Sequence, residues 1–217
     1  MDSMIRNMSK AFRSERLEYR AFNHDDKYLQ AWVLENIASD PVNNAFYMAS
    51  TPKPCTEKEN TEFMGVLAKS ILTVCICLAK TPNESQAGTN EGDGREGSSP
   101  DYEIIGYMGL REAPHLIQHQ GATLGITIAQ QYQDKGYGGE AINWLIDWAF
   151  KHGNLHRVHI SAFSFNERAI ALYQKLGFTI EGRERERIIL CRKRYDMINM
   201  SLLVHEWEEL RKKQGLM

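Results

Sequence analysis

The chain has 217 residues, enough for one domain with a full-sized core, and its composition, 42% hydrophobic and 25% charged, is ordinary for a soluble globular protein. A formal charge of −2 gives no electrostatic reason to expect a nucleic-acid partner. The opening MDSMIRNMSKAFRSER lacks the apolar stretch of a secretory signal, and the most apolar run, Ile71 to Ala79, is too short to span a bilayer, so no membrane partner is expected.

Arg16 to Phe22 alternates apolar and polar residues and predicts a first strand. Asp25 and Asp26 then open a helix with Tyr28, Leu29, Trp32, Val33 and Ile37 as its apolar stripe, stopped at Asp40-Pro41. Thr56 followed by Glu59 is a capping box, and the helix it opens carries Phe63, Met64, Leu67 and Ala68. Ile71 to Leu78 reads as a buried strand. Cys75 and Cys77 lie within it as core thiols, since no Cys/His pair stands at a metal-ligand spacing. Four scattered cysteines do not make a disulfide scaffold, so the chain reads as reduced and cytoplasmic, or nuclear.

Residues 81–101 contain no aromatic or large aliphatic side chain and read as a mobile insertion in a hairpin. Glu103 to Arg111 and Ala122 to Ala129 predict two strands, joined by a polar turn around His115 to Gly121. A helix from Tyr137 to His152 ends at Gly153, placed in the usual C′ role. Arg157 to Phe163 is a strand, Asn166 to Leu176 a helix stopped by Gly177, and Phe178 to Ile189 and Tyr195 to Val204 two more strands. The tail from His205 to Lys213 reads as a short charged helix or a frayed end. The order predicts a mixed α/β sheet.

The densest chemical signal is Gln133-Asp134-Lys135-Gly136-Tyr137-Gly138-Gly139-Glu140-Ala141, a glycine-rich loop running into an apolar helix. Glycines admit close approach to the backbone, and the first N–H groups of a helix lack partners, so the pattern suits an anion, usually phosphate. A dinucleotide fingerprint is rejected. Residues 148–166 contain no acid for a ribose, and six residues separate the preceding strand from the glycines. A nucleotide P-loop fails for want of a Lys-Ser or Lys-Thr pair.

The form that fits is Q/R-x-x-G-x-G/A at a helix start. Here, and at Asn166-Glu-Arg-Ala-Ile-Ala-Leu-Tyr173-Gln-Lys-Leu-Gly177-Phe178, the sequence resembles the GNAT superfamily of N-acetyltransferases. Gly153 to Ile160, Glu181-Gly182-Arg183, Arg194-Tyr195-x-Met197 and the opening Ser14-Glu15-Arg16-Leu17-x-x-Arg20 are similar to its branch of ribosomal-protein alanine and spermidine acetyltransferases. The resemblance implies an α/β GNAT fold: a mixed, mostly antiparallel twisted sheet of about seven strands, with helices on both faces. It implies a single domain over residues 1–217, with 81–101 as insertion and 205–217 as tail.

It also implies acetyl-CoA as co-substrate and no metal. In the family, the backbone of Gln133, Asp134, Lys135, Gly136, Tyr137, Gly138 and Gly139 would cradle the pyrophosphate. Ile126, Thr127 and Ile128 would bond the pantetheine arm, with Asn166, Arg168, Ala169 and Tyr173 beside it. Tyr173 is the catalytic candidate, because a phenol near pKa 10 keeps its proton at neutral pH and can offer it to the departing thiolate. Asn166 would cap its helix as well. Where relatives carry a glutamate in A-E-[IL]-G, this chain reads Ala122-Thr123-Leu124-Gly125. Deprotonation would then run through a water held by Glu103 or Glu112, or the amine arrives neutral.

His115, His119, His152, His156 and His159 fit loop and surface positions better than a metal site. Arg183-Glu-Arg-Glu-Arg187 alternates, placing arginines on one face of a strand and glutamates on the other. It is either a solvated hairpin or homodimer contact, or a cleft wall touching an acidic substrate or the cofactor. The expected activity is direct acetyl transfer in a ternary complex to a small amine such as a polyamine or amino-acid derivative. The alternatives are a protein N-terminal acetyltransferase and a catalytically weak acyl-CoA-binding protein.

Overall fold

The computed structural model describes residues 11–47, 53–79, 102–112 and 117–216. They form one seven-stranded sheet in the order β1-β2-β3-β4-β5-β7-β6. The strands are β1 (Leu17–Ala21), β2 (Leu72–Leu78), β3 (Glu103–Glu112), β4 (Gly121–Ile128), β5 (Arg157–Phe163), β6 (Thr179–Leu190) and β7 (Lys193–Leu203). The described helices are α1 (Lys27–Val33), α2 (Pro41–Tyr47), α3 (Glu57–Ala68), α4 (Tyr137–Lys151), α5 (Glu167–Lys175) and α6 (Val204–Lys213). All adjacent strands are antiparallel except β4 and β5. This is the mixed, mostly antiparallel sheet of seven strands expected from the sequence.

Two cores lie on opposite faces of the sheet. On one, Ala141, Ile142, Leu145, Ile146, Ala149 and Phe150 of α4 are buried at helical spacing against Met108, Leu124, Val158 and Met200. Each large apolar side chain buried there contributes roughly 1.5–3 kcal/mol. On the other, Leu29 and Val33 of α1 and Met64 and Leu67 of α3 pack on Cys75, Cys77 and Tyr107. Burial pushes the Cys77 thiol up to about 12, as befits a core thiol. No described helix is long and apolar enough to cross a membrane.

Several boundaries differ from the expectations, each for a local reason. The first helical run does end before Asp40-Pro41, but Pro41 opens a further, unexpected helix. After a π-helical turn at Leu34–Ala38, Asp40 accepts a hydrogen bond from the Val42 N–H (2.9 Å), and Pro41 occupies the first position of α2, where its missing N–H costs nothing. Gly153 is not left-handed; Asn154 is, at φ 49°. Glycine is required at 153 by proximity instead, since a Cβ would meet the Ala149 carbonyl oxygen at 2.8 Å.

The tail is not frayed. Trp207 Nε1 and Arg211 Nε both donate to Asp147 of α4 at 2.8 Å, and both side chains are buried. The strict alternation expected of Arg183 to Arg187 is broken by a bulge between Glu184 and Ile188, where Glu186 has φ 53°. The 81–101 insertion and residues 113–116 lie outside the described residues, and the rest of the expected turn before β4 holds a 3-10 turn at Ile117–His119.

Candidate functional site

The parallel pairing of β4 with β5 stops at Thr123↔His159, although β4 continues to Ile128 and β5 to Phe163. The two strands therefore part and open a cleft of about 1080 Å³ between them. The Thr127 carbonyl faces β3, because a Cβ on Gly106 would stand 2.3 Å from it. Successive peptide groups of a strand point to alternate sides, so those of Ile126 and Ile128 point away from β3, into the opening. The Ile128 carbonyl already accepts a bond from Gln133 Nε2 at 2.8 Å.

Helix α4 starts at the head of this cleft. Asp134 (φ 61°) and Gly136 (φ 81°) both take the left-handed conformation, which glycine adopts at no steric cost. Helices α1, α3 and α5 begin on side-chain caps from Asp26, Thr56 and Asn166. Helix α4 begins on Gly136 with no side-chain cap. The N–H groups of Tyr137, Gly138 and Gly139 precede the first intrahelical bond, which Glu140 N makes to the Gly136 carbonyl (3.3 Å), and all three residues line the cleft. The positive end of the helix dipole thus faces the cleft with no side-chain cap.

Side chains far apart in sequence hold this loop. Arg16 donates from Nε to Glu140 (2.7 Å) and from Nη1 to the Lys135 carbonyl (2.9 Å), and its guanidinium lies over the Tyr137 ring at 4.7 Å. Glu140 also accepts from Ser14 Oγ (2.6 Å) and the Arg16 N–H (2.7 Å). Burial alone would raise this carboxyl, but these donors outweigh it and hold Glu140 below the ordinary carboxylate range. Gln133 is equally tied: Nε2 donates to Asn43 Oδ1 (2.9 Å), and Oε1 accepts from Arg168 Nη2 (2.9 Å). Arg168 also pairs with Asp134.

On α5, Asn166 caps the helix by accepting from Ala169 N–H (3.2 Å), as expected, and Ala169 and Tyr173 follow it along the wall of the cleft. Tyr173 is 9% exposed, and burial raises its phenol to about 12, with Arg168 opposing the shift. Of the residues named from the sequence for the cofactor, only Lys135 is absent from the cleft wall; its ammonium lies over the Tyr132 ring at 5.5 Å. Thr127 Oγ1 and Asn43 Nδ2 line the cleft, buried and without hydrogen-bond partners among the described residues.

The expected roles of two glutamates do not survive. Glu103 accepts from the Tyr132 hydroxyl, Glu112 is exposed at the end of β3, and neither lines the cleft. Thr123 does line it. None of residues 183–187 does, so that run is an exposed hairpin and not a cleft wall. The four cysteines are also absent from the wall, and no group of three His, Cys, Asp or Glu suited to a metal occurs among the described residues. Sequence reasoning left Arg16, Glu140 and Asn43 without roles, because their partners lie 90 to 124 positions away.

Residues 94–178, which contain the splayed strands, the loop and α5, match the family model described as Acetyltransferase (GNAT) family. That match covers 85 of the 217 residues. The chain is 31% identical over 107 residues to the spermidine N(1)-acetyltransferase of Escherichia coli (strain K12), an alignment spanning 49% of this chain and 56% of that protein. It is 36% identical over 108 residues to a Bacillus subtilis (strain 168) protein named as a ribosomal N-acetyltransferase, YdaF, spanning 50% and 58%. The chain thus spans a little over half the length of these relatives.

Among solved structures, a Vibrio cholerae spermidine N-acetyltransferase in complex with CoA and spermine superposes with a TM-score of 0.67. The match covers 90% of this chain and 99% of that one, at 20% identity. A GNAT-family acetyltransferase from Bacillus anthracis gives 0.65, covering 89% and 98% at 20% identity.

Proposed function

We propose that this chain is a GNAT-family enzyme which, as a single domain over residues 1–217, transfers an acetyl group from acetyl-CoA to the primary amine of a small molecule, a polyamine or an amino-acid derivative. The observation that carries this reading is one cleft joining three features: an uncapped helix N-terminus, a strand with open peptide groups and a buried tyrosine. The first suits a pyrophosphate, held by the N–H groups of Tyr137, Gly138 and Gly139. The second suits the amide-bearing pantetheine arm, which would pair with Ile126 and Ile128 in place of β5. Thr127 Oγ1 and Asn43 Nδ2 offer further polar contacts. Acetyl-CoA supplies the acetyl group as an activated thioester.

The chain's own residues then handle protons and position. An N–H of Ile126 or Ile128 is suited to polarise a carbonyl oxygen lying against β4. Tyr173, at about 12, lies roughly three units above a simple thiol, so complete proton transfer to a thiolate would be uphill. The phenol serves better as a hydrogen-bond donor that stabilises the departing sulfur, and the amine is the natural source of the proton sulfur finally takes. With no cysteine on the wall to carry an acyl group, direct transfer between two bound substrates is favoured.

A second reading, an acyl-CoA-binding protein with weak turnover, is favoured by Thr123 standing where a carboxylate base would be. Thermal stabilisation by CoA, together with thiol release on a panel of amines, separates the two. CoA stabilisation with release on some amine supports the enzyme. Stabilisation with release on none supports the binding protein, and no stabilisation sinks both.

A further inference from the structure

The acetyltransferase reading leaves the acceptor as any small amine, and the cleft wall carries the choice further. Paired residues share a face of a sheet, so the register Arg111↔Thr123↔His159 puts Arg111 and Thr123 on the face where α1 and α3 pack. Gly125 of β4, and Ser161 and Phe163 of β5, follow on that face by alternation. With Phe46 of α2, Phe63 of α3 and Met197 of β7, they line the mouth of the cleft opposite α4 and α5.

Apart from Arg111, the charged residues of the cleft wall belong to the N-terminal segment, the glycine loop, α4 and α5. The wall's carboxylates are Glu15, Asp134 and Glu140; Asp134 is paired with Arg168, and Glu140 with Arg16. At the mouth opposite α4 and α5, the formal charge among the described lining residues is Arg111, exposed and with no carboxylate paired to it among the described residues. The rest of this mouth is apolar or neutral. Phe46 and Phe163 both pack on Phe165, at 5.6 and 5.4 Å between ring centroids.

We infer that the acceptor is an amine carrying an anionic group, a carboxylate above all, which Arg111 receives while the aromatic wall holds the intervening carbons. A polyamine would bring its second ammonium to a mouth whose described lining carries a guanidinium and no carboxylate, Glu184 lying behind it and bonded to Asn199, which contacts Ser161. A guanidinium presents a planar fork of donors that matches a carboxylate in two bonds, which fixes the far end of the acceptor and aims its amine at the cleft. Arg111 is then a specificity-determining residue of the acceptor site. This inference rests on the acetyltransferase reading.

The test uses two conjugates in which CoA is joined through an acetyl linker to one amine of either 4-aminobutyrate or 1,4-diaminobutane. The acceptor portions match closely in length and differ in the charge of the far end. Binding to the full chain is measured by calorimetry beside free CoA. The carboxylate conjugate is expected to bind at least tenfold more tightly than the diamine conjugate. Arg111→Gln should erase that preference with free CoA affinity unchanged, and Arg111→Glu should reverse it. A diamine conjugate that binds as tightly or better, or a preference that survives Arg111→Gln, overturns the inference. So do two conjugates that both bind no better than CoA. If CoA itself does not bind, the acetyltransferase reading falls and takes this inference with it.

Discussion

Arg16 is 119 and 124 positions from the groups it holds, and its removal should be read in cofactor affinity before fold stability. Arg16→Ala deletes an ion pair to Glu140, a hydrogen bond to the Lys135 carbonyl and a cation–π contact with Tyr137. An exposed ion pair contributes about 0.2–1 kcal/mol, a neutral hydrogen bond about 1 and an exposed cation–π contact about 0.5–1. The guanidinium is 45% exposed, so the sum is best taken as about 2 kcal/mol. That cost falls on the conformation of Lys135, Gly136 and Tyr137, where the first N–H groups of α4 are presented. If binding must restore this order, CoA affinity falls roughly thirtyfold, at 1.4 kcal/mol per factor of ten. Calorimetric titration with CoA reads this directly, alongside a melting curve of the free protein. A dissociation constant within twofold of the parent, with a lowered melting temperature, would show that Arg16 stabilises the fold without preparing the loop.

Three further outcomes are expected. Tyr173→Phe should lower kcat by at least tenfold while leaving the Kd for CoA within about threefold; an unimpaired variant would remove the phenol from the reaction. Because no described carboxylate lines the acceptor mouth and the Tyr173 phenol titrates only near 12, kcat/KM should rise with pH towards the pKa of the acceptor amine itself. A plateau set by a group of pKa 5–7, unchanged between acceptors of different basicity, would reveal an enzymic base. Gly177→Ala places a Cβ at φ 99° and 2.3 Å from Leu210 Cδ1. Left-handed strain of about 1–2 kcal/mol and overpacking of about 1–3 together predict a melting temperature lowered by roughly 5–15 °C, whereas an unchanged melt would mean that α6 yields freely.

Much of this molecule is legible along the chain because its causes are local. Thr56 and Glu59 cap α3 through bonds that close within four residues, and Gly177 stops α5 because only a glycine accepts its backbone angle without strain. The glycine loop declares its use because the φ of Gly136 and the approach of Leu172 to Gly139, 3.3 Å from where a Cβ would be, are written in residue type. The apolar periods of α4 and β2 place the core for the same reason: hydrophobic burial follows spacing, and spacing is sequence.

Tertiary structure decided what depends on partners distant in the chain. That Arg16 holds the loop through Glu140, that Gln133 reaches Asn43 and that α6 is anchored on Asp147 are bonds across 60 to 124 positions. No local pattern encodes them. The cleft itself arises where β4 and β5 cease to pair, and a strand looks the same in sequence whether its neighbour stays or leaves. Charge supplies the last instance. Glu103 and Glu112 looked like candidates for the proton because both end a strand, yet the fold turns Glu103 to Tyr132 and leaves Glu112 off the cleft wall. The cleft receives Arg111 in their stead. Residue type determined which chemistry the chain could perform; only the packing of strands and helices determined which charges face the substrate, because a charge acts through distance in space and not along the chain.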